Sequence, residues 1–75
     1  MKLVVVGAAG RMGRMLIRTM SETAGVTLHG AIEAAGSPHI GADAGQLAGI
    51  GENGIKITSD ALSSFLTADG VLDFT

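Results

Sequence analysis

The chain has 75 residues, enough for one small domain or for part of a larger one. Its hydrophobic fraction of 47% excludes a disordered tail, and its net charge of -2 leaves no basic surplus for binding nucleic acid. It has no Cys, which excludes disulfides and thiolate metal sites, and its apolar runs are too short for a signal peptide or a membrane span. We therefore expect a cytoplasmic protein with no nucleic-acid or membrane partner.

The first part of the chain predicts a strand, a helix and a second strand. The apolar run Lys2–Val6 ends at a glycine and is typical of a central parallel strand. Residues 11–23 have helical periodicity, and Gly25 is expected to end the helix. Apolar residues and glycine recur at every second position from Val26 to Glu33, which predicts the second strand. One stripe of the helix is rich in methionine and is expected to face the core. A second stripe consists of arginines, and Arg14 and Arg18 are expected to be solvated. The first stripe is Met12, Met15, Leu16, Thr19 and Met20, and the second is Arg11, Arg14 and Arg18.

The second part of the chain begins with a glycine-rich segment. Residues 34–54 contain half of the chain's 12 glycines and its single proline, so they predict a long loop that is functional or mobile. A short third strand is predicted over residues 55–58, and Ser59 or Asp60 can cap a short helix after it. That helix is expected to end at Phe65 or Leu66, and a fourth strand is expected from Val71 to Phe74, after the turn Asp69-Gly70.

The order of these elements predicts the fold. Strands that alternate with helices in this way favour an α/β fold of the Rossmann type, with a doubly wound parallel sheet. Right-handed connections give the spatial order 3-2-1-4, in which the first strand is central. The chain ends in an apolar strand, so we expect residues 1–75 to be the N-terminal part of a dinucleotide-binding domain, truncated after its fourth strand, with the substrate domain outside this chain.

The turn after the first strand has the pattern G-x-x-G-x-x-G, a variant of the dinucleotide-binding motif. Gly7 would let the chain leave the strand in a tight turn, Gly10 would let a diphosphate approach the backbone, and Gly13 would let the helix pack closely on the sheet. Ala8 and Ala9 are small enough not to block a phosphate. The N-terminus of the following helix would present free N–H groups and partial positive charge to the anion.

An acidic residue stands where this motif needs one. Glu33 lies 20 positions after Gly13, at the predicted carboxyl end of the second strand. A carboxylate there can accept hydrogen bonds from adenosine ribose hydroxyls, and it repels a 2′-phosphate. The following residues, Ala34 and Ala35, carry no positive charge. The pattern therefore predicts that NADH binds at least as well as NADPH.

Three segments of the chain, in this order, carry a resemblance to a known family. They are the run Gly7–Gly13 with its unusual Arg-Met pair, the loop Gly41–Gly49 with the pattern G-x-D-x-G-x-L-x-G, and the ending Asp73-Phe74-Thr75. With these segments the whole chain resembles the start of the dihydrodipicolinate reductases (4-hydroxy-tetrahydrodipicolinate reductases).

The resemblance implies an enzyme, expected to be a homo-oligomer, that reduces a small cyclic dicarboxylate of diaminopimelate and lysine biosynthesis with hydride from NADH or NADPH. Many members carry an Arg directly after the glutamate, where this chain has Ala34, so NAD(H) is the expected cofactor and NADP(H) the alternative, to which Arg11 could contribute. The family's catalytic His and Lys lie in the later domain, so no catalytic residue is assigned and these 75 residues alone are expected to be inactive. The implied cofactor contacts are Gly7, Ala8, Ala9, Gly10, Arg11, Met12 and Glu33.

Two other functions remain open from the residues. Homoserine and aspartate-semialdehyde dehydrogenases also begin with a strand, a glycine turn and a helix, and a non-catalytic NAD-sensing module would share the same turn. No metal ligand is assigned, because neither His29 nor His39 has a second ligand at suitable spacing. Asp43 is expected to make local turn hydrogen bonds, and Asp73 is given no role.

Overall fold

The computed structural model describes residues 1–73, so the last residue of the predicted fourth strand, Phe74, and the following Thr75 lie outside the described residues. Seven elements follow one another along the chain. They are β1 (Lys2–Val6), α1 (Arg11–Ser21), β2 (Thr27–Ile32), α2 (Ala44–Leu47), β3 (Ile57–Thr58), α3 (Ala61–Leu66) and β4 (Gly70–Asp73).

The four strands form one parallel sheet in the order β3-β2-β1-β4, which confirms the predicted fold class and strand order. β1 is central, and its Val4 and Val5 are fully buried. This accounts for the continuous apolar run at the start of the chain, since a parallel strand covered on both faces needs apolar side chains on both.

The two faces of the sheet are covered by different helices. Val5 and Ala31 belong to the core cluster that contains Ile17 of α1. On the other face, a Cβ added at Gly30 would lie 2.9 Å from the Ser64 side-chain oxygen of α3, so α3 packs close to β2 there. Because successive side chains of a strand point to opposite faces, α1 and α3 lie on opposite sides of the sheet.

The rotation of α1 about its axis differs from the prediction. Met12 and Met15 are 51% and 57% exposed, and the buried residues of the helix are Gly13, Ile17 and Met20. A Cβ at position 13 would lie only 2.2 Å from the Gly7 carbonyl oxygen. Close packing through Gly13 therefore sets the rotation, and the residues four and seven positions later point the same way. The prediction that Met12 and Met15 lie in the core was wrong. It followed side-chain hydrophobicity, whereas the close packing of Gly13, which the sequence also predicts, turns these two side chains outward.

The glycine-rich segment contains more structure than the predicted loop. It contains α2, and Asp43 bridges to Lys56 in an antiparallel pair. The Ala44 N–H donates to the Ile55 carbonyl at 2.8 Å, so residues 55 and 56 pair with this segment before β3 begins. This is why β3 starts two residues later than predicted.

Asp43 organises the segment. Its side chain is buried, and its two oxygens accept the backbone N–H groups of Gln46 at 2.9 Å, Asn53 at 3.1 Å and Gly54 at 2.9 Å. Burial raises the pKa of this carboxyl, but the N–H donors lower it by more, so its pKa lies below the ordinary value of 3.8. The prediction that Asp43 makes local turn hydrogen bonds is confirmed.

None of the helices in residues 1–73 is long and apolar enough to cross a membrane.

Candidate functional site

The turn between β1 and α1 is held against the end of β2. Gly7 has a φ of +83°, a conformation that favours glycine, so the chain can turn sharply at the end of β1. The N–H groups of Gly7 and Ala8 both donate to the Ile32 carbonyl, at 2.9 and 3.2 Å, and the Gly10 N–H donates back to the Gly7 carbonyl at 3.1 Å. The turn is therefore closed on itself and fixed to the last residue of β2.

Gly10 is the N-cap of α1 and lies at the open side of the turn. It is exposed, with a φ of −72° and a ψ of 169°, values that any residue can adopt. A Cβ there would lie 3.3 Å from the Gly7 carbonyl oxygen, a tight contact that a small shift relieves. The first N–H groups of a helix have no carbonyl partner within it, so the N-terminus of α1 presents donors beside Gly10. The fold therefore tolerates a side chain at Gly10 better than at Gly13, where a Cβ would lie only 2.2 Å from the same oxygen.

Glu33 follows β2 directly and reaches the same turn. Its backbone N–H donates to the Thr58 carbonyl of β3 at 3.0 Å, which fixes the residue at the carboxyl ends of two neighbouring strands. Its half-buried side chain accepts the Ala9 N–H on Oε2 at 2.8 Å. The structure thus brings together the glycine turn and the acidic residue that are 20 positions apart in the sequence.

The remaining predicted residues differ in what they can present to a ligand. Ala8 is fully buried, so its methyl group belongs to the core and only its backbone can take part. Arg11 and Met12 are exposed in the first turn of α1. Ala34 is exposed and follows Glu33 with no charge of its own. Among these residues, Arg11 is the one that carries a positive charge, and Glu33 carries a negative charge beside the same turn.

The arginine face of α1 is only partly free in solvent. Arg14 is exposed, as predicted, and its Nε donates to the Gly10 carbonyl at 3.4 Å. Arg18 is also exposed, but its Nε and Nη2 donate to the Ala48 carbonyl at 3.3 and 3.0 Å. It thereby ties α1 to the end of α2, a role that the sequence analysis did not assign.

The two histidines lie apart from the turn. His29 is half-buried in β2, and its Nε2 is 2.5 Å from the Thr67 hydroxyl. His39 is half-buried in the segment after Glu33, where its N–H donates to the Ser37 hydroxyl at 3.1 Å. Within residues 1–73, no group of three or more His, Cys, Asp or Glu side chains could hold a metal ion.

Sequence reasoning missed two contributors to the geometry of the site. The Ile32 carbonyl holds the turn, and the Thr58 carbonyl holds Glu33. Both are backbone groups that any residue supplies, so residue type gives no signal for them. The signal that could have found them is the register of the parallel strands, because β1, β2 and β3 end side by side.

Comparison with known proteins gives consistent similarities. The whole chain, residues 1–75, matches the family model described as dihydrodipicolinate reductase, N-terminus. It is 65% identical to the 4-hydroxy-tetrahydrodipicolinate reductases of Rhizobium meliloti (strain 1021) and Sinorhizobium fredii (strain NBRC 101917 / NGR234), and 61% identical to that of Agrobacterium fabrum (strain C58 / ATCC 33970). Each alignment covers 100% of this chain but only 27% or 28% of the relative. The chain thus spans little more than a quarter of the length of these relatives.

Proposed function

This chain belongs to the dihydrodipicolinate reductase family, and from that premise we propose that it supplies the cofactor-binding part of an NAD(P)H-dependent 4-hydroxy-tetrahydrodipicolinate reductase. The names of the relatives support this reaction and lend no support to a homoserine or aspartate-semialdehyde dehydrogenase, or to an NAD sensor without catalysis. In this proposal the enzyme acts in diaminopimelate and lysine biosynthesis.

The contact between Glu33 and the Ala9 N–H carries the proposal. At 2.8 Å it places a carboxylate at the border of a turn whose far side is the N-terminus of a helix. The helix N-terminus offers N–H donors and positive potential to a diphosphate. The carboxylate offers acceptors to the ribose hydroxyls of an adenosine. One site thus has both kinds of group that the adenosine half of a dinucleotide needs, in neighbouring positions.

The individual roles follow from what each residue presents. Gly7 and Gly13 shape the turn, and the small residues Ala8, Ala9 and Gly10 line the diphosphate site. The N–H groups of these three residues already bond to Ile32, Glu33 and Gly7, so the donors to the diphosphate are the first N–H groups of α1. Arg11 and Met12, both exposed in the first turn of α1, flank the ligand. Glu33 accepts the ribose hydroxyls with the oxygen that the Ala9 N–H leaves free.

We propose NADH as a cofactor that binds at least as well as NADPH. The carboxylate of Glu33 is held at the turn by Ala9, so a 2′-phosphate would approach a fixed negative charge. Ala34 supplies no compensating cation. Arg11, exposed in the first turn of α1, would reduce the penalty for NADPH without abolishing it.

The reaction itself requires groups beyond these residues. The bound dinucleotide supplies a hydride to the cyclic dicarboxylate substrate, and a proton donor completes the reduction. Residues 1–73 bind and orient the cofactor in this proposal, so the substrate pocket and the proton donor are assigned to the remainder of the enzyme. We propose a cytoplasmic enzyme, because biosynthetic reduction draws on the cytoplasmic NAD(P)H pool, and a homo-oligomer, the common state of such enzymes.

The test is NADH binding by the full-length protein and its Gly10→Val variant, measured by calorimetry. A branched side chain at Gly10 would fill the space that the diphosphate needs, and the backbone there accepts it. We expect NADH binding to be lost while the protein stays folded. Ala24→Val is the matched control, since it adds a branched side chain at an exposed position just beyond the other end of α1 and should bind NADH normally. Normal NADH affinity in a folded Gly10→Val protein would show that the turn is not the diphosphate site.

A further inference from the structure

A groove between α1 and α2 is lined by cations and by no acidic residue. Three of the chain's five lysines and arginines line it. Its volume of about 250 Å³ lies below the range typical of pockets for drug-sized ligands, so its size suits a smaller molecule. We call it the arginine groove, and its lining residues are Arg11, Arg14, Met15, Arg18, Leu47 and Ala48.

Two of these arginines are restrained by backbone carbonyls. Arg18 donates Nε and Nη2 to the Ala48 carbonyl at the end of α2, and Arg14 donates Nε to the Gly10 carbonyl. Among residues 1–73, the other N–H groups of these two guanidiniums have no acceptor. A restrained guanidinium loses little freedom on binding, and its remaining N–H groups match the oxygens of a phosphate.

The glycine that follows α2 leaves room for Arg18. A Cβ at Gly49 would lie 3.2 Å from the Arg18 Nη2, and Gly49 has a φ of +83°, so a side chain there would be strained and would crowd the guanidinium. Gly49 is the last glycine of the G-x-D-x-G-x-L-x-G segment and has no role in the proposed function. The same segment supplies Leu47 and the Ala48 carbonyl, so it builds one wall of the arginine groove.

The positive charges of the groove are unfavourable for α1 unless an anion neutralises them. Arg11 and Arg14 are three positions apart and Arg14 and Arg18 are four apart, spacings at which side chains of a helix are neighbours and like charges repel. The first turn of α1 has no acidic residue, and cations in a first turn oppose the helix dipole. A dianion bound between the arginines would relieve both effects, so the groove is complementary to such a ligand in charge.

We propose that the arginine groove binds a phosphomonoester, with its phosphate at Arg14 and Arg18 and its organic part against Met15 and Leu47. Met15 is 57% exposed and Leu47 is half-buried, so the groove has an apolar wall that inorganic phosphate would leave unused. The groove extends along α1 to Arg18, about 12 Å of helix rise from Gly10, and so leads away from the diphosphate site. A phosphomonoester and NADH therefore bind at the same time, and the groove does not depend on the proposed function.

The first test is calorimetric titration of the full-length protein with phenyl phosphate, with and without saturating NADH. We expect binding in both conditions, weakened about tenfold or more by Arg14→Gln, which removes a charge-assisted hydrogen bond. Arg14→Lys keeps the charge but not the planar guanidinium, so it should weaken binding by a smaller factor. Lys56→Gln removes an exposed cation outside the groove and should leave the affinity unchanged. Absence of binding, or equal affinities of the wild type and both Arg14 variants, would overturn the proposal.

The second test separates an organic phosphate from inorganic phosphate and from the cofactor. Met15→Gln removes part of the apolar wall, so it should weaken phenyl phosphate about threefold or more and leave the weaker binding of inorganic phosphate unchanged. Equal affinities of the wild type for the two ligands would contradict the role of the organic part. Phenyl phosphate that is displaced by NADH, or by NADPH alone, would lie in the dinucleotide site or its 2′-phosphate position, and either result would overturn the proposal. Binding of phenyl phosphate by a protein that does not bind NADH would count against the proposed function and not against the groove.

Discussion

The glycine turn after β1 and the exposed apolar side chains of α3 and β4 differ in how tightly the described residues pack around them. At the turn, the Ile32 and Gly7 carbonyls and the Glu33 carboxylate hold the backbone. Among the described residues of α3 and β4 none is fully buried, and Leu62 and Leu66 are 70% and 76% exposed. The turn end of the sheet is therefore locally determined by hydrogen bonds within the described residues, whereas α3 and β4 leave apolar side chains exposed.

Gly13→Ala is expected to have the largest effect on the locally determined end. The added methyl group would lie 2.2 Å from the Gly7 carbonyl oxygen and 2.8 Å from the Ala8 Cα, so α1 must move away from the turn. We expect the full-length protein to lose about 3 kcal/mol of unfolding free energy, the upper part of the range for overpacking, and to bind NADH poorly. Urea unfolding measures the first effect and calorimetry the second.

Gly36→Ala is the control for that change, because a Cβ at Gly36 meets no atom within 4 Å. Its unfolding midpoint should stay at or above that of the wild type. An unchanged midpoint in Gly13→Ala would mean that α1 does not pack on the turn as described.

Glu33→Ala removes the carboxylate at the turn and leaves the bonds to the Ile32 and Gly7 carbonyls in place. We expect NADH affinity to fall by about 1–3 kcal/mol, because ribose hydroxyls lose their acceptor. NADPH affinity should fall less or rise, since the fixed negative charge is gone and the Ala9 N–H becomes free. Calorimetric titration of both cofactors checks the change in their ratio.

Glu22→Ala is the matched control, since Glu22 is an exposed carboxylate at the C-cap of α1, away from the turn. It should leave both affinities unchanged. Unaltered NADH affinity in Glu33→Ala, or a clear NADPH preference in the wild type, would contradict the assigned role of Glu33.

Asp43→Asn is expected to have the smallest effect, and one that depends on pH. The carboxylate accepts three backbone N–H groups, and an amide replaces one of its oxygens with a donor that opposes them. Because the pKa of Asp43 is lowered in the folded state, its contribution to stability is present above the ordinary value of 3.8 and is lost as pH falls through the lower folded-state pKa. Wild type should therefore be more stable than Asp43→Asn at neutral pH, and the difference should shrink in acid. A difference that stays constant from neutral pH to acid, measured by urea unfolding, would argue against this explanation.

The strand order and the meeting of Glu33 with the glycine turn could be predicted from the sequence. Both depend on two sequence patterns that are typical of a dinucleotide-binding fold. One is an apolar run that ends at glycine, and the other is a carboxylate at the end of the next parallel strand. The cofactor contacts themselves stay predictions.

The rotation of α1 and the helix α2 were not predicted. Close packing through Gly13 was expected, but the core stripe was assigned from the hydrophobicity of Met12 and Met15, which this packing turns away from the core. The helix α2 could not be recognised in the glycine-rich segment. Its stability comes from the Asp43 side chain, which caps the helix by accepting the Gln46 N–H. Four helical residues are too few to show a period in the sequence.

The shared acceptor of the turn has a consequence for the entropy of binding. The N–H groups of Gly7 and Ala8 both donate to the Ile32 carbonyl, and the residue covalently next to that carbonyl is Glu33. The two parts of the proposed site are therefore joined through one peptide group, and a ligand that contacts both does not have to bring separate loops together. Ordering a free side chain on binding costs about 0.5–1.5 kcal/mol, and the bond from Ala9 to Glu33 has already restricted this one before any ligand arrives. The site is thus preorganised, because the Glu33 side chain loses conformational freedom when the protein folds. A ribose that binds at Glu33 does not have to order this side chain.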